Sequence, residues 1–249
     1  MLHLRFTLHA FGVYHLTATA LLCLAFAGVG LADDSSPVPD DIVNQYWAVT
    51  RAQERSLTNA SMEVDIDGYL PKFQKHGKLH ALRRISPVGL IKYDMLRFEG
   101  DRTVNKEVIQ RYLNAEADAQ KERRTDTAIT PDNYKFKYKG MNRSGGRDVY
   151  VFQVTPRQKR ENLFKGEVWI DSTTYLKVQE SGYLVKNPSI LVRKVAFIRT
   201  YEIQGGISVP KQVFSIVDTR LVGKAELTID FKNIELEPSR RAQAETFGQ

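Results

Sequence analysis

Between residues 132 and 234 the chain carries no run of helical periodicity, only short segments of alternating apolar and polar residues parted by turns. In Tyr134-Lys135-Phe136-Lys137-Tyr138-Lys139 three aromatics alternate with three lysines, and Gly145-Gly146 turns the chain into Val149–Val154. Further segments follow at 164–171, 175–185, 192–201, 208–219 and 222–234, the last setting Ala225, Leu227, Ile229 and Phe231 against Lys224, Glu226, Thr228, Asp230 and Lys232. Period-two alternation at roughly ten-residue spacing predicts an antiparallel meander.

The first half adds three strands and two helices. In Met62-Glu63-Val64-Asp65-Ile66-Asp67 three apolar residues share one face and three acids the other. Gly68 and Pro71 mark a turn into a strand at 78–85, and Pro87-Val88-Gly89 turns again into 90–98. Asp40 and Asp41 open a helix over 40–57 with an apolar stripe through Ile42, Tyr46 and Val49. A second helix is expected over 106–124, apolar at Val108, Tyr112 and Ala119 and strongly charged beyond Glu116. The fold class is α+β, mainly β. A sheet of about ten strands has to curl, because adjacent strands rotate by roughly 20–25°. Two or three helices cover one face only, so the concave face is filled by its own side chains, by the helices or by a ligand.

The first 32 residues read as an export signal: Arg5 in a weakly basic start, an apolar run from Leu16 to Phe26, then small residues ending at Ala32 as the expected cleavage site, with an uncleaved anchor from Phe6 to Ala32 as the alternative. Residues 33–39 form a breaker-rich linker, 40–236 the folded domain and 237–249 a polar tail. The single cysteine, Cys23, falls inside the apolar run, so no disulfide is expected after cleavage. The full chain's formal net charge of +7 becomes +6 without Arg5 (35 basic minus 29 acidic), a modest excess that suits anionic envelope lipids better than nucleic acid in an exported protein.

Recognisable catalytic patterns are missing. His76 and His80 stand four residues apart in a strand, about 13 Å along it, too far to share a metal ion. Asp65 and Asp67 share a face, but the one that alternates with the apolar side and meets water. No Gly-x-Ser-x-Gly elbow, phosphate loop or dinucleotide fingerprint occurs. Lysines and aromatics at 134–139 alternate to opposite faces, so one surface cannot use both for nucleic acid. No catalytic residue, metal or cofactor is expected. The apolar face remains, with Tyr138, Phe152, Trp169, Tyr183, Phe197, Tyr201, Phe214 and Phe231 as candidate cavity residues.

Val154-Thr155-Pro156-Arg157 followed by Phe164-Lys165-Gly166-Glu167-Val168-Trp169-Ile170-Asp171 resembles the periplasmic lipoprotein-carrier superfamily, LolA/LolB-like, with the stress regulator RseB as a relative. Tyr175–Val178, Tyr201–Ile203 with Pro210, and Glu226–Ile229 with Asn233-Ile234 continue the succession, so the likeness spans about 40–236. The resemblance implies a half-open barrel with helices as a lid over an apolar cavity that takes acyl chains. It also implies a lid-closing arginine, for which Arg83, Arg84 and Arg97 are all candidates. The expected function is a non-catalytic periplasmic carrier of a lipid or lipoprotein acyl chain, with sorting to the outer membrane as one setting. Two alternatives stand beside it: an envelope interaction or sensor protein that docks a membrane-protein partner through the sheet and the 106–124 helix, and an exported hydrolase.

Overall fold

The computed structural model describes residues 38–119, 127–220 and 222–236. The expected leader with its cleavage site at Ala32, most of the 33–39 linker, the distal end of the 106–124 helix and the 237–249 tail lie outside the described residues.

Ten strands form one antiparallel sheet: β1 (Ser61–Leu70), β2 (Lys75–Ile85), β3 (Ile91–Gly100), β4 (Tyr134–Ser144), β5 (Arg147–Pro156), β6 (Phe164–Asp171), β7 (Lys177–Leu184), β8 (Val192–Gln204), β9 (Ile207–Thr219) and β10 (Gly223–Glu235). Their order is β3-β2-β1-β10-β9-β8-β7-β6-β5-β4. The meander from β4 to β10 is therefore continuous, as the alternation predicts. A second meander, β1 to β3, joins it where β1 pairs with β10, with Val64 opposite Phe231 and Ile66 opposite Ile229. The sheet curves without closing, and β3 and β4 are its free edges.

Helix α1 (Pro39–Gln53) presents Ile42, Val43 and Tyr46 to the concave face. Each such burial stabilises the contact by about 2 kcal/mol. At its far end the Gln53 side-chain oxygen accepts the Ser208 N–H at 2.8 Å, which fixes the helix to the start of β9.

The second helix begins earlier than its periodicity suggests. Asp101 caps it by accepting the N–H groups of Thr103 at 2.8 Å and Val104 at 3.1 Å. It runs as α2 (Arg102–Val104), a π-type turn (Asn105–Gln110) and α3 (Arg111–Ala119). Gly68 does not turn the chain; it stays within β1 opposite Gly77 of β2. A methyl at Gly68 would come within 2.9 Å of Val104, and one at Gly77 within 2.3 Å of Asn105 Oδ1. The pair of glycines is a flat seat for the start of this helix, and the turn falls instead at Pro71–Gln74.

The concave side holds two apolar clusters. One lies under α1 and includes Ile42, Tyr46, Tyr134, Phe152, Phe164, Val168, Ile170 and Phe197. The other lies under the 102–119 helix and includes Val64, Ile66, Leu79, Val104, Ile109, Leu227 and Ile229.

Candidate functional site

Two polar assemblies interrupt this apolar lining. The first sits on β7 and β8. Glu180 lies on the same face as Val168, and Arg199 lies opposite it. The Glu180 carboxylate accepts from Lys177 Nζ at 2.7 Å, from an Arg199 guanidinium N–H at 2.8 Å and from the Tyr201 hydroxyl at 2.9 Å. Its side chain is 3 % exposed, whereas that of Arg199 is 45 % exposed. Burial would raise the Glu180 pKa, but the cations of Lys177 and Arg199 outweigh it and hold the group down at about 2. Burial would likewise lower Lys177, yet the Glu180 charge raises it above the ordinary lysine value. Tyr46 of α1, above the network, is pushed up to about 12 by its own burial. With two cations to one anion, the cluster carries one unmatched positive charge on the concave side.

The second assembly fastens the 102–119 helix. Arg83 on β2 points inward and donates to Glu116 of α3 at 3.2 Å, with side chains 10 % and 19 % exposed. The Tyr93 hydroxyl on β3 donates to the other Glu116 oxygen at 2.5 Å, and the Arg83 guanidinium also lies 5.8 Å from the Phe231 ring. Of the three arginines the resemblance leaves open, Arg83 is therefore the buried one that holds the helix. Arg84 and Arg97 face outward, in exposed pairs with Asp94 and Glu99. Nothing in α3 is fully buried. Its own Tyr112 and Leu113 are only partly buried, and beneath them lie Tyr93, Val213 and Phe231, partly exposed as well.

The eight cavity candidates divide. Tyr138, Phe152, Phe197, Tyr201 and Phe231 lie on the concave side. Phe152 and Phe197 are sealed in the core, 1 % and 6 % exposed, while Tyr138, Tyr201 and Phe231 keep accessible surface. Trp169, Tyr183 and Phe214 lie on the other face and cannot line a concave site. Trp169 is out of phase with the buried Val168 and Ile170, and its indole N–H donates to Glu167 on the outer side. Tyr183 pairs with Lys165 and meets Lys194. Phe214 pairs with the exposed Ile198 and with Thr228, the outward neighbour of Leu227 and Ile229. Aromatics occupy both phases of these strands, so only the cross-strand partners decide which way a ring points.

Lys177, Glu180 and Arg199 are not legible as site residues, since charged residues in strands usually mark a wet face. One signal is available: Phe197, Arg199 and Tyr201 alternate, so the arginine shares the phase of two rings. On the outer face Asp65 and Asp67 meet water as expected, paired with His80 at 2.7 Å, Lys232 at 2.7 Å and Lys78 at 3.2 Å.

The molecule is thus an open antiparallel half-barrel with two helices on its concave face. Residues 128–181 match a family of unknown function, DUF5686. No protein of curated function matches the chain. Similar solved structures include a DUF1329 family protein from Desulfovibrio piger, 14 % identical, covering 84 % of this chain and 99 % of that one, with a TM-score of 0.40. A LolA superfamily protein from Nitrosomonas europaea is 12 % identical, with coverage of 82 % and 96 % and a TM-score of 0.37. An outer membrane lipoprotein-sorting protein domain from Vibrio parahaemolyticus is 11 % identical, with coverage of 83 % and 96 % and a TM-score of 0.37. LolA superfamily proteins are therefore among its structural neighbours.

Proposed function

We propose that the protein is a non-catalytic periplasmic carrier that holds the acyl chain of a lipid or lipoprotein between the concave face and the 102–119 helix. The observation that carries this reading is how α3 is attached. It lies over partly exposed Val213 and Phe231, rests on them through its own Tyr112 and Leu113, which stay only partly buried, and is held by the Arg83–Glu116–Tyr93 contact. A helix sealed by apolar packing opens only against the full hydrophobic penalty. One held by a polar fastening opens by exchanging those hydrogen bonds for water. Lifting α3 bares apolar floor on which a hydrocarbon chain gains about 25 cal/mol per Å² buried. Arg199, charged and accessible on the same side, suits the polar end of such a ligand.

Val213 and Phe214 make the test sharp, because they are sequence neighbours on opposite faces. Titration with the fluorescent fatty acid cis-parinaric acid should show saturable binding by the wild type. Val213→Asp should weaken it at least tenfold, and Phe214→Asp should leave it within twofold. Equal behaviour of the two variants, or no saturable binding by the folded wild type, would refute the carrier reading.

A further inference from the structure

The two free edges of the sheet are built differently. Edge β4 carries Lys135, Lys137, Lys139 and Arg143 and no acid. A second copy laid along it would set cations against cations in any register, which is how proteins keep an edge single. Edge β3 reads Ile91-Lys92-Tyr93-Asp94-Met95-Leu96-Arg97-Phe98-Glu99-Gly100. Its charges alternate in sign, and its apolar side chains are exposed, Met95 by 71 % and Phe98 by 37 %. Val88, Leu90 and Leu96 are exposed as well, so five of the twelve exposed large apolar residues described fall within 88–98. Such a concentration at an unpaired strand marks an interaction surface.

The charge order identifies the partner. Lys92, Asp94, Arg97 and Glu99 all face outward, because their β2 partners Arg84, Leu82, His80 and Lys78 do. Simple alternation would place Asp94 and Arg97 on opposite faces. A bulge between the His80 and Leu82 pairings, with Met95 at φ 53, inserts the extra residue that restores them to one face. Reversed end to end, the series plus, minus, plus, minus becomes its own complement.

We propose that β3 is a self-complementary edge through which two copies of this chain pair antiparallel about a two-fold axis near Met95 and Leu96. Lys92 then lies opposite Glu99 of the second copy and Asp94 opposite its Arg97, each contact occurring twice by symmetry. Tyr93 meets Phe98 of the second copy on the concave side, and Met95 meets Leu96 at the axis. The contact is isologous and closes after two copies, so it yields a dimer and not a filament. What it displaces is weak. The Arg84–Asp94 and Arg97–Glu99 pairs within one chain are exposed surface pairs at 3.4 and 3.3 Å, and Lys92 has no carboxylate partner among the described residues.

Sedimentation equilibrium of the purified full chain tests this through charge reversal. The wild type should be a dimer at tens of micromolar. Lys92→Glu brings a second carboxylate against Glu99, and Glu99→Lys brings a second ammonium against Lys92, so each variant alone should dissociate at least tenfold more readily. An equimolar mixture of the two variants should recover dimerisation, because in the mixed pair both 92–99 contacts set a carboxylate against an ammonium; the double variant is a second, independent arm. K92E/E99K restores opposite charges at both contacts and should dimerise as the wild type does, which separates loss of pairing from loss of folding. A monomeric wild type, dimers that persist in both single variants, or a double variant that stays monomeric would each overturn the proposal.

Discussion

Replacing Glu180 by glutamine leaves Lys177 and Arg199 facing each other without their anion. In the wild type the carboxylate, 3 % exposed, accepts three hydrogen bonds and is held at about 2 against an ordinary 4.5. At 1.36 kcal/mol per pH unit, the ionised group contributes roughly 3 kcal/mol to folding at neutral pH. Because the folded pKa lies below the unfolded one, this contribution is complete above about pH 4.5. It is lost as the pH falls towards 2, with about 2 kcal/mol gone by pH 3. Glu180→Gln should therefore lower the unfolding free energy by about 3–5 kcal/mol at pH 7, the range for breaking a buried ion pair from one side. At pH 3 the gap to the wild type should narrow by about 2 kcal/mol. The double variant K177M/E180Q removes one cation with the anion and should be less damaged than Glu180→Gln alone. Guanidinium unfolding at both pH values measures all three. A loss below about 1 kcal/mol at pH 7, or a gap that does not change with pH, would refute this account of the network.

Gly77→Ala forces a methyl against Asn105 and Val104; a loss of about 1–3 kcal/mol is expected, with faster amide exchange confined to the start of the 102–119 helix. Unchanged exchange there would mean that the glycine seat does not position the helix. Asp171→Ala removes the acceptor of the Thr173 N–H, the Thr174 N–H and the Thr174 hydroxyl, at 3.1, 2.8 and 2.9 Å. It should cost about 1–3 kcal/mol in chemical denaturation, and Asp171→Asn should retain most of the lost stability.

Asp171 also shows what the end of Trp169-Ile170-Asp171 does in this fold. Its carboxylate shapes the turn between β6 and β7 by accepting from Thr173 and Thr174. Such local features are readable because they depend on neighbours in sequence. The alternation at 134–139 predicts rings on one face and lysines on the other, and the lysines are exposed while Tyr134 is buried and Phe136 and Tyr138 half-buried. Gly68 misleads for an equally local reason: a missing side chain permits a turn and permits a helix to press close, and the sequence looks the same in either case.

The amino-acid sequence alone determined the strand periodicity, the helix at α1 and the antiparallel character of the sheet, since these follow from period-two alternation and short turns. Tertiary structure alone decided three matters: that β1 lies against β10, that Trp169, Tyr183 and Phe214 face outward, and that Arg199 of β8 meets Glu180 of β7 on the concave side. Each depends on which strand lies alongside, and pairing between residues far apart in the chain leaves no local periodicity to read. Glu180 finds one counter-charge, Lys177, on its own strand, but Arg199 reaches it from β8, so the second partner that settles its place is set by the sheet and not by its neighbours in sequence.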